Sequence, residues 1–162
     1  MNKAFVKEGG DDDSVIPLPT MPSGVRNYIT PQGFRQLQHE ASALLGQTAD
    51  TQAEPAAERE REQRIHYLQT RLETAQVVDP TIHDDGDPVR FGATVTFAYE
   101  SGEQETVTIV GLDELDPAHG RISWLSPIAQ ALLNAEEGDY VQLETPGGEQ
   151  ELLIVAVRYP SV

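Results

Sequence analysis

Two periods divide the chain. Between residues 30 and 79 apolar side chains recur at helical spacing, and from residue 89 they alternate with polar ones at every second position. In "YITPQGFRQLQHEASALLG" Thr30 can serve as an N-cap. Pro31 suits the first helical position, where its missing N–H costs nothing, and Gly46 can end the helix. Phe34, Leu37, Ala41 and Leu44 follow steps of 3, 4 and 3, the seam of a coiled coil. A second helix opens at Pro55, carries Ile65, Leu68, Leu72 and Ala75 at the same steps, and ends before Asp79-Pro80. Two seams of equal length predict an antiparallel hairpin. Carried back toward the turn, the second seam meets Arg61 and Glu58, so apolar packing stops before the helices do and the tip should fray before the base.

The stretch "VRFGATVTFAY" puts Val89, Phe91, Ala93, Val95, Phe97 and Tyr99 on one face of a half-buried strand. "SGEQ" turns it into a second strand, "ETVTIVGL", and "RISWLS" reads as a third. "PIAQALLN" is a short helix with Ser126 as N-cap and Pro127 at its first position. "DYVQLET", the turn "PGG" and "EQELLIVAVRY" form a closing hairpin. The fold class is therefore α+β, a helical hairpin followed by an antiparallel sheet with one short helix. Residues 1–27, with Gly9-Gly10, Asp11 to Asp13 and three prolines, read as a disordered acidic tail. The hairpin takes 28–79, a linker 80–88 and the sheet domain 89–162.

Charge narrows the function. The net charge is −16, and residues 81–162 carry three basic against fifteen acidic groups. Autonomous binding to a phosphate backbone needs clustered Lys and Arg. The one basic cluster, Arg59, Arg61 and Arg64, is interleaved with Glu58, Glu60 and Glu62, the pattern of a solvated, self-paired face. A protein partner is expected, with nucleic acid reached only through it. The absence of Cys removes disulfides, thiolate zinc sites and Cys nucleophiles, and His39, His66, His83 and His119 lack paired ligand spacing. No metal or cofactor is expected, and neither a glycine-rich phosphate loop nor a nucleophile elbow occurs. "DELD", Asp113 to Asp116, could offer oxygens to a divalent cation but lacks the spacing of a calcium loop and reads as a solvated turn. Trp124 and Leu125 are either exposed contacts or core, with core favoured. No run of 18 apolar residues and no signal sequence is present, so the expected location is the cytoplasm, with no membrane contact.

Five segments, "FGATVTF", "IVGLDELD", "ISWLSPIAQALL", "GDYVQLETPGG" and "VAVRYP", occur in order across residues 89–160. This half resembles the C-terminal domain of the Gre transcription elongation factors, GreA and GreB, and the hairpin ending in "AQVVDP" resembles the base of their N-terminal coiled coil. The resemblance implies an FKBP-like domain that docks on the rim of the secondary channel of bacterial RNA polymerase core, while the coiled coil enters the channel. It places Ser126, Pro127 and Ile128 at the polymerase contact, with Asp113, Glu114 and Asp116 beside it. In the family a "GDLxENAEY"-type tip motif supplies acidic residues that help hold a catalytic magnesium ion in the polymerase and stimulate cleavage of backtracked RNA. That motif is missing here. The segment between "FRQLQHE" and "AQVVD" is also about twenty residues shorter than expected, which at 1.5 Å rise per residue sets the tip back by roughly 15 Å.

Asp50, Glu54 and Glu58 are the acids left at the tip. Gln130 stands where the family usually has Arg, and Leu125 where a polar residue is expected. The short-hairpin relative Rnk, a Gre-fold polymerase binder without cleavage activity, is the closer functional model, although "AFVKE" and the Pro-rich tail resemble a group labelled GreA/GreB-like. The expectation is a monomeric, non-enzymatic polymerase ligand. One alternative is a cleavage cofactor using Asp50, Glu54 or Glu58. Another is an FKBP-like prolyl isomerase or peptide adaptor, which needs an aromatic-lined pocket that 6% aromatic content disfavours.

Overall fold

The computed structural model describes residues 24–47 and 54–161. The expected tail, except its last four residues, lies outside them, as does Asp50. Within the described part the chain opens with a strand, β1 (Asn27–Ile29), followed by helices α1 (Pro31–Leu45) and α2 (Pro55–Thr74). The expected signals start α1. The Thr30 hydroxyl accepts from the Gly33 N–H at 3.1 Å, Pro31 follows it, and the Gly46 N–H donates to the Ser42 carbonyl at 2.9 Å.

Two features depart from the sequence reading. Asn27, assigned to the tail, is a buried strand residue, and α2 ends at Thr74 rather than running to Asp79. Ala75 takes an extended backbone and opens β2 (Ala75–Val77), which pairs in parallel with β1, Asn27 opposite Ala75 and Ile29 opposite Val77. A side chain directs the change. Asn27 Nδ2 donates to the Arg71 carbonyl at 2.9 Å and to Thr74 Oγ1 at 3.0 Å, occupying acceptors at the end of the helix. Three-residue strands are too short to show a period, so the pattern of apolar residues carried no trace of this ladder.

The two helices pack around Ile29, Leu37, Ala41 and Leu68, flanked by Phe34, Leu44, Tyr67, Leu72 and Ala75. Ile65 is half-buried but stands outside this cluster, and Tyr67 belongs to it instead.

After a single 3₁₀ turn at Pro80–Ile82, the second unit comprises β3 (Thr94–Ala98), β4 (Gln104–Val110), β5 (Arg121–Ser123), α3 (Pro127–Leu132), β6 (Tyr140–Thr145) and β7 (Gly148–Arg158). The strand order is β5-β4-β3-β7-β6. All pairs are antiparallel except β4 with β5, which run parallel with Thr108 opposite Arg121, so the sheet is mixed rather than antiparallel throughout. The parallel pair needs a crossover, supplied by two 3₁₀ turns at Leu112–Glu114 and Pro117–His119. Val95, Phe97, Ile109, Leu132, Leu152 and Ile154 fill the core. The alternating face predicted from Val89 to Tyr99 is regular only over β3. Gly92, at φ +91°, bends the chain before it, and the Phe91 ring lies 5.8 Å from Tyr28 of β1. Among the described residues no helix is long and apolar enough to cross a membrane.

Candidate functional site

Three regions hold the residues singled out by the sequence: the joint between hairpin and sheet, the start of α3, and the hairpin tip. At the joint, Arg71 projects from the last turns of α2 with its side chain 8% exposed. Its Nε donates to Asp113 Oδ2 at 2.6 Å and its Nη2 to Asn27 Oδ1 at 2.7 Å. The Tyr67 hydroxyl, one helical turn earlier, donates to the other Asp113 oxygen. Burial first, and then this bond to a carboxylate, raise the Tyr67 pKa, which keeps the phenol a donor. Asp113 is 6% exposed and has two donors from α2.

Glu114 is fixed in the same way on the other helix. Its carboxylate accepts from the Thr30 and Gly111 N–H groups, each at 3.0 Å, and from the Thr30 hydroxyl, placing negative charge at the N-terminus of α1 where the helix dipole favours it. Two glycines make room. A Cβ at Gly33 would lie 2.4 Å from Glu114 Cδ, and one at Gly111 would lie 2.2 Å from the Tyr28 carbonyl oxygen. Tyr28 completes the joint, its ring 4.9 Å from Trp124 and 5.8 Å from Phe91.

These contacts correct the sequence reading of "DELD". It is not a solvated turn, and the Asp113 and Glu114 carboxylates are not offered to a partner, because both are buried and hydrogen-bonded within the chain. Asp116 is partly exposed and bonds His119 Nδ1 at 2.7 Å. Asn27, Tyr28, Tyr67 and Arg71 are joint residues that sequence reasoning passed over, and Phe91, expected on the strand face, serves the joint as well. One signal was available: Arg71 lies three residues after Leu68 and beside Leu72, on the apolar side of α2, where a charge calls for a buried partner.

At α3 the Ser126 hydroxyl accepts from the Ala129 N–H at 3.2 Å, so it is committed to the N-cap. Pro127 is exposed, and Ile128 is half-buried against the sheet core. Gln130 is also exposed, and its Nε2 donates back to the Trp124 carbonyl at 2.6 Å. Trp124 packs on both the core cluster and Tyr28, which carries the α3 turn onto the joint. Pro127 and Gln130 are exposed here, and Trp124, Leu125, Ser126 and Ile128 are partly so; Leu125 stands outside the core cluster.

At the tip, Arg61 Nη2 donates to the Leu44 carbonyl at 2.8 Å and to the Gln47 carbonyl at 3.2 Å, while Nη1 pairs with Glu58 at 2.9 Å. A cation among the last carbonyls of α1 is favoured by the helix dipole. The charged face is only partly self-paired. Arg64 reaches across the hairpin to Glu40 with two bonds of 2.8 and 2.9 Å instead of pairing along α2. Glu54 is exposed, and its side chain makes no capping bond. Among the described residues no group of three acidic or His side chains is placed to hold a metal ion.

The family model for the transcription elongation factor GreA/GreB C-terminal region matches residues 84–159. GreB of Neisseria meningitidis serogroup B is 38% identical over 159 residues, which takes in 86% of this chain and 98% of that protein. The chain belongs to the GreA/GreB family of transcription elongation factors. GreA of Alkalilimnicola ehrlichii is 48% identical over 99 residues, covering 60% of this chain and 63% of GreA. Among solved structures, a GreA/GreB factor from Nitrosomonas europaea matches with a TM-score of 0.42 and 29% identity, covering 83% of this chain and all of that one. For this GreA/GreB family member the match to the meningococcal GreB has a further consequence. An alignment of 159 positions that uses only 86% of a 162-residue chain leaves about twenty positions of the relative without a counterpart.

Proposed function

We propose that this GreA/GreB family chain binds bacterial RNA polymerase core at the secondary-channel rim, through the α3 end of its sheet domain, and modulates transcription from the channel without stimulating RNA cleavage. The observation that carries the reading is the state of the tip. Of the three candidate acids, Glu58 is neutralised by Arg61, and Glu54 is exposed with no capping bond to hold it. Asp50 lies outside the described residues. A hard cation requires oxygen ligands fixed at about 2.0–2.6 Å, and a hairpin whose longer helix has 20 residues spans roughly 30 Å. The roughly twenty unmatched positions of the meningococcal GreB agree with a shortened hairpin.

Such a protein is a ligand of an enzyme rather than an enzyme, and it acts in the cytoplasm as a monomer. Its role is occupancy: a negatively charged hairpin in the channel competes with cleavage factors for space. The decisive experiment uses backtracked transcription complexes carrying labelled RNA. Binding to core polymerase without new shortened transcripts is the expected result. Shortened transcripts that appear only with the protein, and disappear when Asp50 and Glu54 are replaced by Ala, overturn it.

A further inference from the structure

In a chain of net charge −16, three of the eleven basic residues line one groove. The groove, with a volume of about 730 Å³, runs between the base of α1 and the sheet. Arg35 stands on the helix side, and Arg121 and Arg158 on the sheet side. Arg158 pairs with Glu137 at 3.2 Å. Arg35 and Arg121 form no ion pair among the described residues. One carboxylate lines the groove, Asp79, and it is already bonded to the Thr81 N–H and hydroxyl. Arginines on both walls of a concave site in an otherwise acidic protein favour an anion there.

The sequence supplies an anion within reach. Glu8 and Asp11 to Asp13 form a dense acidic run, and ten residues separate Asp13 from Gly24, where the described chain begins. Fully extended, the eleven steps from Asp13 to Gly24 span about 36 Å, whereas the six steps from Gly24 to Thr30 at the groove wall span no more than about 20 Å. We propose that the acidic run Asp11–Asp13 docks in the groove between Arg35 and Arg121 of its own chain. Docked there, it neutralises arginines on both walls of the groove and bridges hairpin and sheet. The tether makes the contact intramolecular, so a connector of this length supplies a high effective concentration.

The test exploits the absence of Cys, which lets a single engineered thiol be labelled cleanly. The full chain with Ser14→Cys carrying a nitroxide is compared with its reduced, diamagnetic form by amide NMR at low salt. The expected result is selective broadening of the Gly92, Thr108 and Arg121 amides that is unchanged by dilution. It is lost in the D11N/D12N/D13N variant, and also in R35Q/R121Q, whose remaining spectrum stays native. Broadening that is absent, or that survives the triple Asn change, overturns the proposal; broadening that fades on dilution identifies a second copy as the occupant and also overturns it. Inorganic pyrophosphate supplies a further arm. It should shift the groove amides at lower concentration in the triple Asn variant than in the parent, and equal titrations in the two mean that the run does not occupy the groove.

Discussion

The two ends of the hairpin are held by different physics. At its base, Asp113 and Arg71 are nearly sealed from water, and Tyr67 and Asn27 add bonds to the pair. At its tip, Arg61 holds the Leu44 carbonyl of α1 and the Gln47 carbonyl just beyond it while its side chain stays 23% exposed, and it shares its charge with Glu58, which is 34% exposed. A buried pair leaves a stranded charge when one member is removed, whereas an exposed pair hands the survivor to water. The base therefore fixes where the hairpin points, and the tip fixes only how the helices meet.

The largest expected effect tests the base. Asp113→Ala strands the Arg71 guanidinium in a buried site and should lower stability by about 3–5 kcal/mol in denaturant titrations. A loss under about 1 kcal/mol would put the joint on the same footing as the surface and dissolve the contrast between the two ends. Gly111→Ala comes next. The new Cβ would meet the Tyr28 carbonyl, so β1 must move, at a cost of about 1–3 kcal/mol, typical of overpacking. Trp124 is the single tryptophan and packs on Tyr28, so its fluorescence should report the shift of β1 directly. A native spectrum in a destabilised G111A protein would place the strain elsewhere.

Much of this architecture was legible in the sequence because the relevant partners are near neighbours. Thr30 with Gly33 and Ser126 with Ala129 are local caps, and the seam from Leu37 to Leu68 follows from a period. The joint was not legible in the same way. Asp113 and Arg71 are 42 residues apart, and a carboxylate in the run "DELD" looks solvated until its distant partner is known. Phe91 fits the alternation of β3 yet sits before a glycine bend and serves Tyr28 instead. Residue type and spacing specified the elements. The contacts that set one unit against the other depend on tertiary proximity, which no local pattern encodes.

A smaller effect is expected at the tip. Arg61→Ala removes the bonds to the Leu44 and Gln47 carbonyls and the pair with Glu58, a loss of about 1 kcal/mol given its partial exposure. It should appear as faster amide exchange at Leu44 to Gln47, with protection of the sheet unchanged. Simultaneous loss of protection at the joint would mean that tip and base open as one unit.

The smallest effect lies midway along the hairpin, where Arg64 and Glu40 meet in a two-bond pair with side chains 38% and 41% exposed. The hydrogen bond from Arg64 holds the Glu40 carboxyl below its ordinary pKa, with partial burial opposing that shift. A carboxyl with a depressed folded pKa binds its proton more readily in the unfolded chain. Its contribution is therefore complete above the unfolded value of about 4.3 and is lost as the pH falls through the lower folded value. Solvent limits that contribution to about 1 kcal/mol or less, because exposed pairs are screened. Urea titrations of the parent and Glu40→Gln should thus differ slightly at pH 7 and converge near pH 3. At pH 7 the difference should shrink further in about 1 M salt, where the screening length is near 3 Å. A difference that persists at pH 3, where both side chains are uncharged, would assign the role of Glu40 to something other than its charge, because Gln keeps the same methylene groups.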